Sequence, residues 1–138
     1  MKPTIVVVDD SEEARVQFEE LFVRDFGIKP LVFEDLFEAI NHKADILVVD
    51  VTTLTQGFMM SHAAYAPIGS YHQRWPRTSL VLHSAGSANG VTDVMEDVRI
   101  KVGEDVRMEY GGWGEWEPIK KAVILLWKEI DGESDAGN

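Results

Sequence analysis

The sequence predicts a doubly wound α/β fold, a (βα)5 chain with five parallel strands in the order 2-1-3-4-5. Two observations carry this. Short runs rich in Val, Ile and Leu recur through the chain, with helical patterns between them. The first and third runs, TIVVV and ILVV, lack polar alternation, as strands do when helices cover both faces of a sheet. Right-handed crossovers then give a doubly wound sheet, and 2-1-3-4-5 is one common order for it.

The five strands are expected at Thr4–Val8, Pro30–Phe33, Ile46–Val49, Leu80–His83 and Val106–Tyr110. Ser11–Phe26 places Ala14, Phe18, Leu21 and Phe22 at helical spacing, and Gly27 ends it. Leu36–His42 forms a short helix and Val91–Val102 a longer one. In Glu117–Ile130, Ile119, Val123, Leu126 and Ile130 share a face, and Pro118 suits the first turn. Ser61–Ala66 has helical character that Pro67, Gly69 and Pro76 are expected to interrupt. With no internal repeat or linker, residues 1–131 read as one domain, and the polar GESDAGN, residues 132–138, as a disordered tail.

The composition narrows the function. Of 138 residues, 13 are Lys or Arg and 24 are Asp or Glu, for a net charge of −11. Such a surface repels a phosphate backbone, so nucleic acid is not expected as a partner. No apolar run approaches the roughly 20 residues that cross a membrane, and the N-terminus carries no signal-peptide pattern. A cytoplasmic location and no membrane partner are the expectation. The absence of cysteine excludes thiol catalysis and disulfides.

The first strand runs directly into Asp9 and Asp10, and the third ends on Asp50. In this topology ligands bind outside the carboxyl ends of the strands, near the switch point between the first and third. Three carboxylates from distant parts of the chain are therefore expected to converge. Two like charges ~4 Å apart at an effective dielectric of ~20 repel by roughly 4 kcal/mol, so the cluster takes up protons or binds a cation. Mg2+, which takes carboxylate oxygens and keeps several waters, suits it. Asp10 also reads as a helix N-cap, with Glu13 completing a capping box. Ser84 ends the fourth strand in LVLHSAG and offers a hydroxyl to the same crevice. His83 reads as a packed histidine.

The segments VVVDDSEEAR, ILVVDV and LVLHSAG, in that order and spacing, resemble the receiver domain of two-component response regulators, which has a flavodoxin-like fold. The resemblance spans about Lys2 to Ile130. It implies that Asp50 accepts a phosphoryl group from a histidine kinase or phosphotransfer protein. It further implies that Asp9, Asp10, Asp50 and the backbone carbonyl of Thr52 hold Mg2+, and that Ser84 is the switch hydroxyl. Self-phosphorylation and dephosphorylation at Asp50 would be the only catalysis. Receivers carry a Lys at the end of the fifth strand, whereas Glu109 or Tyr110 stands there in this chain. The proline usual four residues after the phosphoacceptor is replaced by Leu54, and the following glycine, Gly57, sits one residue early. These departures favour, as the alternative, a pseudo-receiver that works as a phosphorylation-independent protein-interaction module. In GGWGEWEP, Trp113 and Trp116 are equally candidates for a surface that meets a downstream protein or forms a homodimer and for packing over the loop or the segment around Trp75. A haloacid-dehalogenase-type phosphatase would need an Asp two residues after Asp50, where Thr52 stands. Flavin binding would need a phosphate loop that DDSEEA does not supply.

Overall fold

A computed structural model describes residues 2–51, 65–84, 88–112 and 115–136. The elements run β1 (Ile5–Val8), α1 (Glu12–Phe26), β2 (Leu31–Phe33), α2 (Leu36–Ala39), β3 (Ile46–Asp50), α3 (Tyr65–Arg74), β4 (Ser79–His83), α4 (Ala88–Lys101), β5 (Met108–Tyr110) and α5 (Trp116–Ala136). All strand pairs are parallel, in the order β2-β1-β3-β4-β5.

The continuous apolar runs follow from two covered faces. On one face Val6, Val8, Leu47, Val49, Leu80 and Leu82 pack against α2, α3 and α4. On the other, Ile5, Val7, Ile46, Val48 and Val81 pack against Phe18 and Phe22 of α1 and Ile119, Val123 and Leu126 of α5. Every residue of β1, β3 and β4 is buried, whereas the edge strands β2 and β5 are three residues long and half-exposed.

Local sequence accounts for the helix ends. Ser11, not Asp10, caps α1: its Oγ accepts from the Ala14 N–H at 3.2 Å. Glu12 and Glu13 then stand in the first turn, where the helix dipole favours negative charge. Gly27 closes α1 at φ 65°, a left-handed conformation glycine adopts without a side-chain clash, and its N–H donates to Val23 O at 3.0 Å. Asp35 caps α2 through the Glu38 N–H at 2.9 Å.

Two expectations are corrected. Pro67 and Gly69 do not interrupt the helix before β4. They lie within α3, Tyr65–Arg74, while residues 61–64 of the expected helical stretch lie outside the described residues. Tyr71 and Trp75 then anchor this region, the Tyr71 hydroxyl donating to His42 O at 2.6 Å and Trp75 Nε1 to Ile40 O at 2.8 Å. At the C-terminus, α5 continues through Gly132 to Ala136 instead of yielding to a disordered tail at residue 132. Glycine inside a helix costs only about 1 kcal/mol, and Glu133 of the added turn pairs with Arg107 beside β5.

Candidate functional site

The register sets the site. Val8 of β1 is paired with Val49 of β3, so the next residues, Asp9 and Asp50, stand side by side at the carboxyl end of the sheet. The Asp9 N–H donates to Phe33 O at 3.1 Å, which holds the turn after β1 to the end of β2. Asp10 follows. Carboxylate oxygens of Asp9, Asp10 and Asp50 all lie within 4.8 Å of one another. Asp9 is 4% and Asp50 7% exposed, and Asp10 is half-buried.

This crowding has an electrostatic cost. Burial raises the Asp9 carboxyl to about 6, and the charges of Asp50 and Asp10 push the same way. The Ser11 N–H, donating to Asp9 Oδ1 at 2.9 Å, and the Arg15 guanidinium oppose the rise. Arg15 Nη1 donates to the Asp9 carbonyl at 2.7 Å, so its positive charge is tied to the rim of the cluster. Three convergent carboxylate oxygens are the donor set that a hard divalent cation prefers, with water completing its shell. The residues fit such an ion.

Beyond Asp50 the site widens. Asp50 is paired with His83, and Ser84 comes one step later, buried, its N–H donating to Gly112 O at 3.1 Å. His83 is 2% exposed, and neither ring nitrogen has a hydrogen-bond partner among the described residues. Burial lowers its pKa to about 4. The Phe18 ring meets the imidazole edge-on, with centroids 5.4 Å apart. A cleft of about 680 Å³ opens here, with Asp9, Asp10 and Asp50 at one end and Phe18, His83 and Trp116 along it.

The missing lysine is accounted for differently from the sequence expectation. Glu109 and Tyr110 lie opposite Val81 and Leu82, short of the rim. Level with the end of β4 is Gly111, whose N–H donates to Leu82 O at 2.8 Å. A Cβ on Gly111 would lie 2.7 Å from Val81 Cγ1 and 3.3 Å from His83 Cβ, so this position admits no side chain without a shift. None of the chain's 13 Lys and Arg residues lines the cleft.

Trp116, one of the two candidate tryptophans, packs against aromatic side chains of its own chain. Its indole is half-buried between α1 and α5, 5.0 Å from the Phe22 ring centroid. Its Nε1 donates to Asp25 Oδ2 at 2.6 Å. Arg24 and Lys120 reach the same carboxylate, and the Arg24 hydrogen bond does most to hold it well below the usual range. Thr52 and Trp113 lie outside the described residues.

Sequence reasoning missed the roles of Arg15 and Gly111. The run VVVDDSEEAR contains Arg15 one turn into α1, which is the signal for a cation near the acids. Gly111 carries no such signal, because its meaning depends on strand register.

No protein-family model matches the sequence, and no curated protein is recognisably similar. Solved structures share the fold. The signal receiver domain assigned to a Luxo repressor protein from Vibrio parahaemolyticus superposes with a TM-score of 0.71 at 16% identity, over 100% of this chain and 99% of that one. The signal receiver domain of an HD domain-containing protein from Pseudomonas fluorescens Pf-5 gives 0.58 at 16% identity, over 97% and 93%. A response regulator protein from Burkholderia pseudomallei, solved with a phosphorylated aspartic acid, a calcium ion and citrate, gives 0.60 at 16% identity, over 99% and 75%. What these chains share with this one is the receiver fold. Among the described residues, no helix is long and apolar enough to cross a membrane.

Proposed function

We propose, from a receiver fold with three carboxylates converging at its switch point, that this chain accepts a phosphoryl group on Asp50 and signals through protein contacts. The convergence of Asp9, Asp10 and Asp50 within 4.8 Å carries the reading. A phosphohistidine of a kinase or phosphotransfer protein is the donor, in the cytoplasm. An Asp50 oxygen attacks phosphorus as the bond to the histidine nitrogen breaks, and the nitrogen retains that electron pair. Asp9, Asp10 and Asp50, with the carbonyl of Thr52, are the residues that would hold Mg2+. When bound, the ion offsets negative charge on the phosphoryl oxygens. Asp9 and Asp10 present their oxygens from the turn that the Phe33 carbonyl holds in place, and Ser84, one step past the end of β4, is the residue whose hydroxyl would donate to the product. The phosphorylated aspartate and calcium ion of the B. pseudomallei regulator, which has the same fold, support the assignment.

A second reading has its own observation. With Gly111 at the rim and no Lys or Arg lining the cleft, the side-chain cation beside the acids is Arg15, whose Nη1 is already engaged by the Asp9 carbonyl. A pseudo-receiver, binding partners without phosphorylation, follows from that. Incubation with Mg2+ and acetyl phosphate separates the two. A phosphoryl adduct by mass spectrometry that Asp50→Asn abolishes supports the first reading. A folded protein that stays unmodified overturns it in favour of the second.

A further inference from the structure

We propose that the outward face of α1 is a docking surface for a basic amphipathic helix of a partner protein. Val16 and Val23 stand seven residues apart on α1 and are 52% and 49% exposed. At about 100° per residue they fall within about 20° of one another, on the side of the helix away from the buried Phe18 and Phe22. The same spacing sets Glu12 and Glu19 along one flank of this apolar seam and Glu13 and Glu20 along the other. A shallow groove of about 530 Å³ lies along the seam, lined by Val16, Glu19, Glu20, Val23, Arg24 and Lys29.

Charge decides what covers this face. Residues 9–38 hold ten acidic and three basic side chains, so less than a quarter of the chain carries −7 of its net −11. Each of the three cations is already engaged: Arg15 by the Asp9 carbonyl at 2.7 Å, Arg24 by Asp25 at 2.7 Å and Lys29 by Glu19 at 3.6 Å. Glu12, Glu13 and Glu20 are exposed, and among the described residues no ion pair reaches them. The seam therefore offers two valines bordered by uncommitted carboxylates. Its complement is a helix whose apolar stripe is bordered by Lys or Arg, laid along the groove. A second copy of this chain fits poorly, because packing the face on itself sets glutamates against glutamates. A phosphate backbone is repelled for the same reason. None of Asp9, Asp10 and Asp50 lines the groove, so the surface works independently of phosphoryl chemistry at Asp50.

NMR titration of the isotope-labelled full chain with synthetic peptides tests this. The probe is a three-heptad helix with Leu at a and d, Lys at e and g and Ala elsewhere, and its control carries Glu in place of each Lys. The Lys peptide is expected to bind saturably, with the largest amide shifts on residues 12–24, and the Glu peptide not to bind. Raising NaCl from about 50 to about 500 mM should weaken binding more than about fivefold. Val23→Glu separates the seam from its charges. It adds an anion, so attraction by charge alone would strengthen, whereas loss of the apolar contact should weaken binding about fivefold or more. Glu13→Gln combined with Glu20→Gln should weaken it about threefold or more. Asp50→Asn should leave the affinity within about twofold, since it lies outside the groove. Lys-peptide binding that Val23→Glu leaves equal or stronger, that Asp50→Asn abolishes, or that the Glu peptide matches would overturn the proposal. So would shifts confined to other elements, no detectable binding, or dimerisation of the free chain that Val23→Glu abolishes in sedimentation equilibrium.

Discussion

Replacing His83 with leucine should make this protein more stable, by an amount that grows as the pH falls. The imidazole is 2% exposed, and neither nitrogen has a partner among the described residues. An unsatisfied buried polar group costs about 1–3 kcal/mol. Leucine has a similar volume and no polar atoms, so the variant should gain roughly that much at pH 7, where the imidazole is neutral in both states. Acid adds a second contribution. Burial lowers the folded-state pKa from 6.5 to about 4. Between those values the unfolded chain binds the proton and the native one does not, so wild-type stability falls as pH drops through this window. The displacement corresponds to about 3 kcal/mol, complete near pH 4. His83→Leu lacks this penalty. Its advantage should therefore rise from about 1–3 kcal/mol at pH 7 to roughly 4–6 kcal/mol at pH 4. Urea unfolding of both proteins across this range, followed by tryptophan fluorescence in EDTA, gives the difference directly, and groups titrating alike in both proteins cancel. A variant less stable than wild type at pH 7, or a difference that does not change with pH, would refute the reasoning.

Two further expectations concern the same region. Asp9 has its folded pKa raised to about 6, so its protonation favours the native state. The metal-free protein should lose stability on this account as pH rises from about 4 to 6, by at most about 3 kcal/mol because solvent in the cleft screens part of the effect. Asp9→Asn should remove that loss, be more stable than wild type at pH 7 without metal, and lose any rise in melting temperature that Mg2+ gives the wild type; a scan with and without Mg2+ checks all three. Gly111→Ala should cost about 1–3 kcal/mol through the clash of its new Cβ with Val81, read as a lower urea midpoint with an unchanged slope.

How much of this was legible in the sequence depended on how local the signal was. The apolar runs at Ile5–Val8 and Ile46–Val49 announce strands covered on both faces, and from the strand order alone Asp9, Asp10 and Asp50 had to meet. The cap of α1 was misread by one residue because Asp10 and Ser11 are both good capping residues. The choice falls to Ser11 because the chain keeps Asp10 in the acidic cluster. Pro67 read as a breaker because proline is costly inside a helix, yet α3 includes it. The segment from Gly132 read as a disordered tail because it is polar, although Glu133 within it forms an ion pair with Arg107. The burial of His83 was anticipated. Its unpartnered nitrogens were not, since they depend on Phe18 and the other side chains that α1 and α5 lay over it. The rim position of Gly111 needed the β4–β5 register, which no short stretch encodes.

Asp50 differs from its two acidic neighbours in what carries it. Asp9 and Asp10 ride on the turn leaving β1, whereas Asp50 is the last residue of a central strand, still paired with β4. Its main chain is bolted to the buried centre of the sheet. On the proposed reading, a group attached to that carboxylate has to be accommodated by what surrounds the strand end rather than by the strand itself. The central strands would act as an anvil, against which such a group presses its surroundings.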